Sequence, residues 1–172
     1  TPRLHKSTVR SIVGSREVNA SLSLIDANGG KAIYVPCDVM DKGKVRQVIQ
    51  NVKSQYGVQI SGIIHASGVL RDKAIENKTV DDFKLVYGTK VQGLLNIFDN
   101  IDMKNLRHLV MFSSLAGFHG NTGQSDYAMA NDVLNKIGHY VTFKYPQCRV
   151  RALDFGPWDG GMVTPALKAH FK

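Results

Sequence analysis

Short apolar runs at residues 32–36, 60–64, 109–112 and 150–155 alternate with longer stretches in which apolar residues recur at helical spacing. The near-continuous hydrophobicity of the runs suits parallel strands covered on both faces. The amphipathic stretches predict helices at about residues 15–28, 42–56, 80–99 and 125–143, with a further short helix in the tail at 164–171. Strand and helix in alternation mark an α/β fold on a parallel sheet. No internal repeat or low-complexity segment interrupts the pattern.

Composition narrows this picture. A chain of 172 residues can bury one full core but not two ordinary domains. With 43% hydrophobic and 21% charged residues it belongs among folded globular chains, not disordered or fibrous ones. No window approaches a membrane span and no apolar signal core follows the opening residues, so the expectation is a soluble, cytoplasmic protein. Cys37 and Cys148 lie far apart without zinc-type spacing, which sets aside a disulfide framework and a metal site.

Twenty-two Lys and Arg against fourteen Asp and Glu give a net charge of +8. Arg3, Lys6, Arg10 and Arg16 all precede the first acid, Glu17. Residues 1–16 therefore read as a basic leader or linker and residues 17–172 as the folded part. No aromatic residues are interleaved with these cations, which speaks against nucleic acid as the partner and leaves open an anion such as a nucleotide phosphate or an acidic carrier protein.

The carboxyl ends of the strands are where ligands of open α/β sheets bind. Here the four runs lead into Asp38-Val39, His65-Ala66-Ser67-Gly68, Ser113-Ser114 and Gly156-Pro157-Trp158. Each alone is ordinary turn chemistry. Four on one rim point to a cofactor cleft.

The helix after Lys78 opens on Thr79 as N-cap with Asp82 in the capping-box position, and its apolar stripe runs through Phe83, Tyr87, Val91, Leu94 and Phe98. Lys90 falls inside that stripe. A snorkelling lysine is the plain reading of such a position. On the last long helix Tyr127 and Asn131 are four residues apart and share one face above Leu134, Ile137 and Val141. Ser114 ends a strand thirteen residues before Tyr127, enough chain to bring both hydroxyls to one pocket.

Ser114, Tyr127, Lys90 and Asn131 form a set suited to carbonyl reduction. A phenol titrates at about 10, and a neighbouring ammonium favours its phenolate. Ser114 would then hold the substrate carbonyl, Tyr127 would protonate the developing alkoxide, and Asn131 would hold a relay water toward Lys90. The hydride has to come from a cofactor.

These residues resemble the short-chain dehydrogenase/reductase superfamily, and more narrowly the ketoreductase domains of polyketide and polyunsaturated fatty acid synthases. The resemblance rests on five segments: 65–70, 89–93, 112–117, 123–131 and 156–162. Its most specific detail is the exchange of Lys and Asn, with Asn131 four residues after the Tyr and Lys90 on the preceding helix, as in synthase ketoreductases. The resemblance implies a Rossmann-like, doubly wound parallel sheet and NADPH as cofactor. It implies that Asp38 and Val39 face the adenine, that His65, Ala66, Ser67 and Gly68 lie along the cofactor, and that Gly156, Pro157 and Trp158 flank the nicotinamide. Gly161 and Met162 would belong to a lid over the substrate.

By the same resemblance the substrate is a 3-ketoacyl chain on the phosphopantetheine arm of an acyl carrier protein, and the other synthase domains are partners. A Leu-Asp-Asp motif marks ketoreductases that give the D-configured alcohol. Here it stands as Leu70-Arg71-Asp72, while His119 takes the place where the opposite group carries Trp. One departure is plain: no Gly-rich turn precedes Asp38. The fold is therefore expected to be incomplete at the N-terminus, lacking its first βαβ unit. The competing reading is a non-catalytic, reductase-like structural module.

Overall fold

The computed structural model describes the backbone of residues 2–158 and the side chains of residues 14–158. The tail helix expected at 164–171 lies outside the described residues. The chain divides into two compact units, residues 1–36 and residues 37–172.

The first unit is dominated by one helix, α1 (Pro2–Ala27). It begins well before the expected residue 15, so the basic segment is helical; proline near the start is compatible with a first helical turn, where its missing N–H costs nothing. The helix stops at Gly29 (φ 77°), and the Gly30 amide donates to the Ile25 carbonyl at 2.9 Å. The strand expected at 32–36 does not form, and Ile33, Tyr34 and Val35 are exposed. Apolar content alone cannot make a strand: the backbone needs a neighbouring strand to accept and donate its ladder bonds, and among the described residues no strand pairs with this segment.

The second unit is built on three parallel strands in the order β1 (Gly62–His65), β2 (His108–Ser114), β3 (Arg149–Phe155). Gly62 pairs with His108, and β2 pairs with β3 from His108–Arg149 through to Ser114–Phe155. Helix α2 (Lys42–Tyr56) precedes the sheet, with the Asp41 side chain accepting the Lys44 amide at 3.0 Å. The β1–β2 crossover contains α3 (Val80–Tyr87), a wide π-turn (Gly88–Gln92) and α4 (Gly93–Phe98). The β2–β3 crossover carries the short α5 (Ala116–His119) and the long α6 (Ser125–Lys144).

Alternation along the strands selects the buried face. Ile63, Leu109 and Met111 point at the crossover helices, where Leu94, Leu134 and Val141, with Leu106 from the loop before β2, close a fully enclosed core. Ile64, on the other face, is 73% exposed. Residues 37–158 thus supply one helical layer of the expected two.

The crossover helix departs from the expected regular helix over 80–99. Its π-turn closes with the Gly93 amide donating to the Gly88 carbonyl, which adds one residue to the turn. Gly93 lies so close to Val39 that a Cβ there would sit 2.7 Å from the valine Cγ2. The segment after Cys37 closes on this turn only because position 93 has no side chain.

Candidate active site

Because the three strands are parallel and paired to their ends, their carboxyl termini share one edge. β1 runs out into Ala66, Ser67 and Gly68, β2 ends on Ser114, and β3 leads to Gly156, Pro157 and Trp158. Trp158 packs edge-on against Phe155 with centroids 4.8 Å apart, and Phe155 lies 5.1 Å from Phe112. The aromatic trio gives the rim a rigid floor while Gly156, Pro157 and half of Trp158 stay exposed.

Lys90 sits in the π-turn and is buried, with 4% of its surface exposed. It does not snorkel. Its Nζ donates to the Phe112 carbonyl at 2.8 Å and stands 5.3 Å from the centroid of the Tyr127 ring. Burial pulls its pKa from the ordinary 10.5 down to about 8. Gly68 makes room for this ammonium, since a Cβ at that position would lie 3.2 Å from the lysine Cε.

His65 anchors the same turn from below. Its buried ring nitrogen Nε2 is 2.7 Å from the Lys90 carbonyl; the carbonyl can only accept, so Nε2 carries the proton. Burial holds His65 below the usual histidine range, so the ring is neutral. Of the residues assigned to the cofactor edge, His65 therefore has its side chain turned inward, onto the backbone of Lys90.

Helix α6 presents Tyr127 and Asn131 one turn apart. Asn131 is fully buried, and its Nδ2 donates to the Tyr127 carbonyl at 2.8 Å. Its Oδ1 is buried without a hydrogen-bond partner in the protein, the mark of a place where water or a ligand supplies a donor. Ser113 faces the helix and donates to the Asn131 carbonyl at 3.2 Å. Ser114, next along the pleat, is half-buried, and its Oγ accepts the Ala116 amide at 3.2 Å, which leaves its hydroxyl proton free to donate.

The remaining expected residues fall in three groups. Asp38 is exposed and holds a turn, its Oδ1 accepting the Met40 amide at 2.9 Å, while Val39 packs on Gly93 and its carbonyl accepts Asn96 Nδ2 at 2.9 Å. Asp72 is exposed and accepts from Gln124 Nε2 at 2.9 Å, and His119 is exposed on α5 with its ring edge-on to Phe118. Gly161 and Met162 lie outside the described residues.

Some buried polar residues around the site escape a reading of the sequence. Gln124, Lys78, Asp126 and Asn96 are buried polar groups whose partners lie far along the chain. Asp126 carried one usable signal, an acid in the first turn of a helix beside the candidate phenol.

Comparison with known proteins decides the family. The KR domain family matches residues 7–160. The chain belongs to the KR domain family. Along all of its 172 residues it is 54% identical to one polypeptide of the polyunsaturated fatty acid synthase of Thraustochytrium sp., of which it covers 6%. It is 30% identical over 148 residues to the polyketide synthase PksN of Bacillus subtilis, covering 83% of this chain and 3% of that protein. Among solved structures, an N-terminal ketoreductase from the macrolactin assembly line superposes with a TM-score of 0.76 at 31% identity, over 84% of this chain and 30% of the other. A ketoreductase domain from the bacillaene assembly line gives the same TM-score and identity over 89% of this chain and 38% of its own. The chain thus spans a small part of the curated relatives and about a third of the solved ketoreductases. It is a synthase-type ketoreductase domain with a Rossmann-like parallel sheet.

Proposed function

We propose that this ketoreductase domain reduces a 3-ketoacyl thioester, carried on the phosphopantetheine arm of an acyl carrier protein, to the 3-hydroxyacyl thioester with NADPH. The observation that carries the reading is the buried ammonium of Lys90 against the ring of Tyr127. A lysine is withdrawn from water at a cost of several kcal/mol only where something repays it, and a neighbouring phenol that must give up a proton does so.

The rim fits the nicotinamide end of such a cofactor. Gly68 and Gly156 bring bare backbone to the edge, and Trp158 offers an exposed ring beside them. Ala66, Ser67, Gly68, Gly156, Pro157 and Trp158 would hold that end, with Asp38 and Val39 toward the adenine. When bound, the cofactor supplies the hydride.

The chain's own residues handle the proton. Ser114 donates its free hydroxyl proton to the substrate carbonyl oxygen and so fixes the carbonyl toward Tyr127. The Tyr127 phenol protonates that oxygen as negative charge develops on it, and the Lys90 ammonium stabilises the phenolate left behind. Asn131 Oδ1 holds a water through which the phenol regains its proton. The reaction takes place in the cytoplasm beside the other domains of a synthase. No helix of the described residues is long and apolar enough to cross a membrane.

The reading is tested with the full-length synthase polypeptide, a 3-ketoacyl thioester and either NADPH or NADH. Accumulation of the 3-hydroxyacyl thioester, one for each NADPH oxidised, is expected. No product with NADPH would refute it, and equal turnover with NADH would overturn the cofactor assignment.

A further inference from the structure

Lys78 and Asp126 form an ion pair in the interior of the domain, with Nζ and Oδ2 2.8 Å apart and side chains only 6% and 1% exposed. Neither residue is among the four assigned to the reaction. The contact is a charge pair and not an aligned hydrogen bond, since Oδ2 has no such partner in the protein. Both groups use their remaining valence on backbone. Asp126 Oδ1 accepts the Tyr127 amide at 2.9 Å, and Lys78 Nζ donates to the Arg71 carbonyl at 2.9 Å.

The pair therefore joins two segments. On one side is the segment from Leu70 to Thr79 that follows β1 and holds Asp72. On the other is the first turn of α6, which carries Tyr127. Further bonds follow the same seam: Gln124 Nε2 donates to Asp72 Oδ2 at 2.9 Å, and the Lys73 amide donates to the Gly123 carbonyl at 3.0 Å. Both ends are tied down in turn. Lys73 Nζ reaches Asp82 Oδ2 at 2.7 Å, and Thr79 with Asp82 closes the capping box of α3.

We propose that the Lys78–Asp126 pair is a positioning device for Tyr127, which holds the phenol in register with the substrate-side segment that contains Asp72. Two observations distinguish this from a purely structural pair. A buried ion pair is a poor way to gain stability, because desolvating both charges offsets most of their attraction, whereas a pair of oppositely charged groups specifies one arrangement where an apolar contact allows several. The carboxylate also grips the amide of the residue whose side chain reacts, so a displacement of Asp126 moves Tyr127 directly. In a proton-transfer site a shift of about 1 Å costs about a hundredfold in rate.

The inference rests on Tyr127 as the proton donor. The experiment uses the full-length synthase polypeptide with the acetoacetyl thioester of N-acetylcysteamine and NADPH. It compares Lys78→Met, Asp126→Asn and the double variant with the parent. Each single variant strands one buried charge and should lose thermal stability as well as turnover. The double strands none and is the decisive protein: its melting temperature should return to within a few degrees of the parent while kcat stays down by about tenfold or more and the ratio of alcohol enantiomers erodes. The KM for NADPH should stay within about twofold in all three, since the cofactor rim is untouched. A double variant with parental kcat and parental enantiomer ratio would overturn the proposal, and so would one that fails to fold, because the pair would then serve the fold alone. Tyr127→Phe run alongside separates the two readings: if it retains turnover, the catalytic assignment fails, whereas an inactive Tyr127→Phe with an unimpaired double variant defeats only the positioning role.

Discussion

The ammonium of Lys90 lies 5.3 Å from the centre of the Tyr127 ring and is held there by the carbonyl of Phe112, 2.8 Å away. Three elements meet in this contact: the π-turn of the first crossover, the last residues of β2, and the first turn of α6. The placement costs stability and sets a buried positive charge beside the phenol that we propose as the proton donor.

The pH dependence follows from that burial. Below about pH 8 Lys90 is an ammonium, and above it the neutral amine dominates in the folded protein. Turnover should therefore fall as pH rises through about 8, and Lys90→Arg, whose cation persists, should move that limb upward if the variant retains activity. A profile of kcat against pH that stays flat to pH 10 in the parent would contradict the role of the charge.

The same shift has an opposite effect on stability. The unfolded chain holds the Lys90 proton up to about 10.5 and the folded chain only to about 8, so stability rises with pH across that window, and at pH 7 the charge is a full burden. Lys90→Met should melt no lower than the parent at neutral pH while losing turnover. A loss of several degrees would show that the bond to the Phe112 carbonyl outweighs the cost of the charge.

Much of this arrangement was legible in the sequence because its signals are local. Helices at 42–56 and 125–143 and the runs at 109–112 and 150–155 form close to where periodicity placed them. Lys90 betrayed itself as one charge on an apolar stripe, and Tyr127 with Asn131 by helical spacing. What sequence could not give depends on partners. Residues 32–36 have strand composition but no ladder. The packing of Val39 onto Gly93 of the π-turn and the Lys78–Asp126 pair join residues that no local rule relates.

Asn131 makes a prediction about solvent. Its Oδ1 is buried and unpartnered, which is costly unless a donor occupies the space. A high-resolution crystal structure of the domain should show an ordered water within hydrogen-bond distance of that atom. An Oδ1 found against apolar side chains alone would remove the relay from the mechanism.

Asn131→Ala should then lose both functions of the amide. Deleting its bond to the Tyr127 carbonyl costs roughly 1 kcal/mol, and turnover should fall further than stability does. Thermal melting and kcat measured on the same preparation check the two together, and a variant with lowered stability and parental kcat would assign Asn131 to the fold.

Stereochemistry tests the segment around Asp72. Its carboxylate is fixed by Gln124 beside the first turn of α6, and the resemblance of Leu70-Arg71-Asp72 to the Leu-Asp-Asp motif implies the D-configured alcohol, here the 3R product. Chiral chromatography of the parent product should show it, and Asp72→Ala should erode the ratio. A predominantly 3S product from the parent would contradict the reading of Leu70-Arg71-Asp72 as the motif of the D-configured alcohol.

The central claim is that Tyr127 delivers the proton to a 3-ketoacyl oxygen with Lys90 behind it. The most direct measurement is the turnover of Tyr127→Phe in the full-length synthase polypeptide, followed as 3-hydroxyacyl thioester formed, with the fold checked by thermal melting. The account predicts a loss of at least about a thousandfold with the melting temperature preserved, since the ring and its packing remain and only the proton is gone. Near-parental turnover in a folded Tyr127→Phe would contradict it.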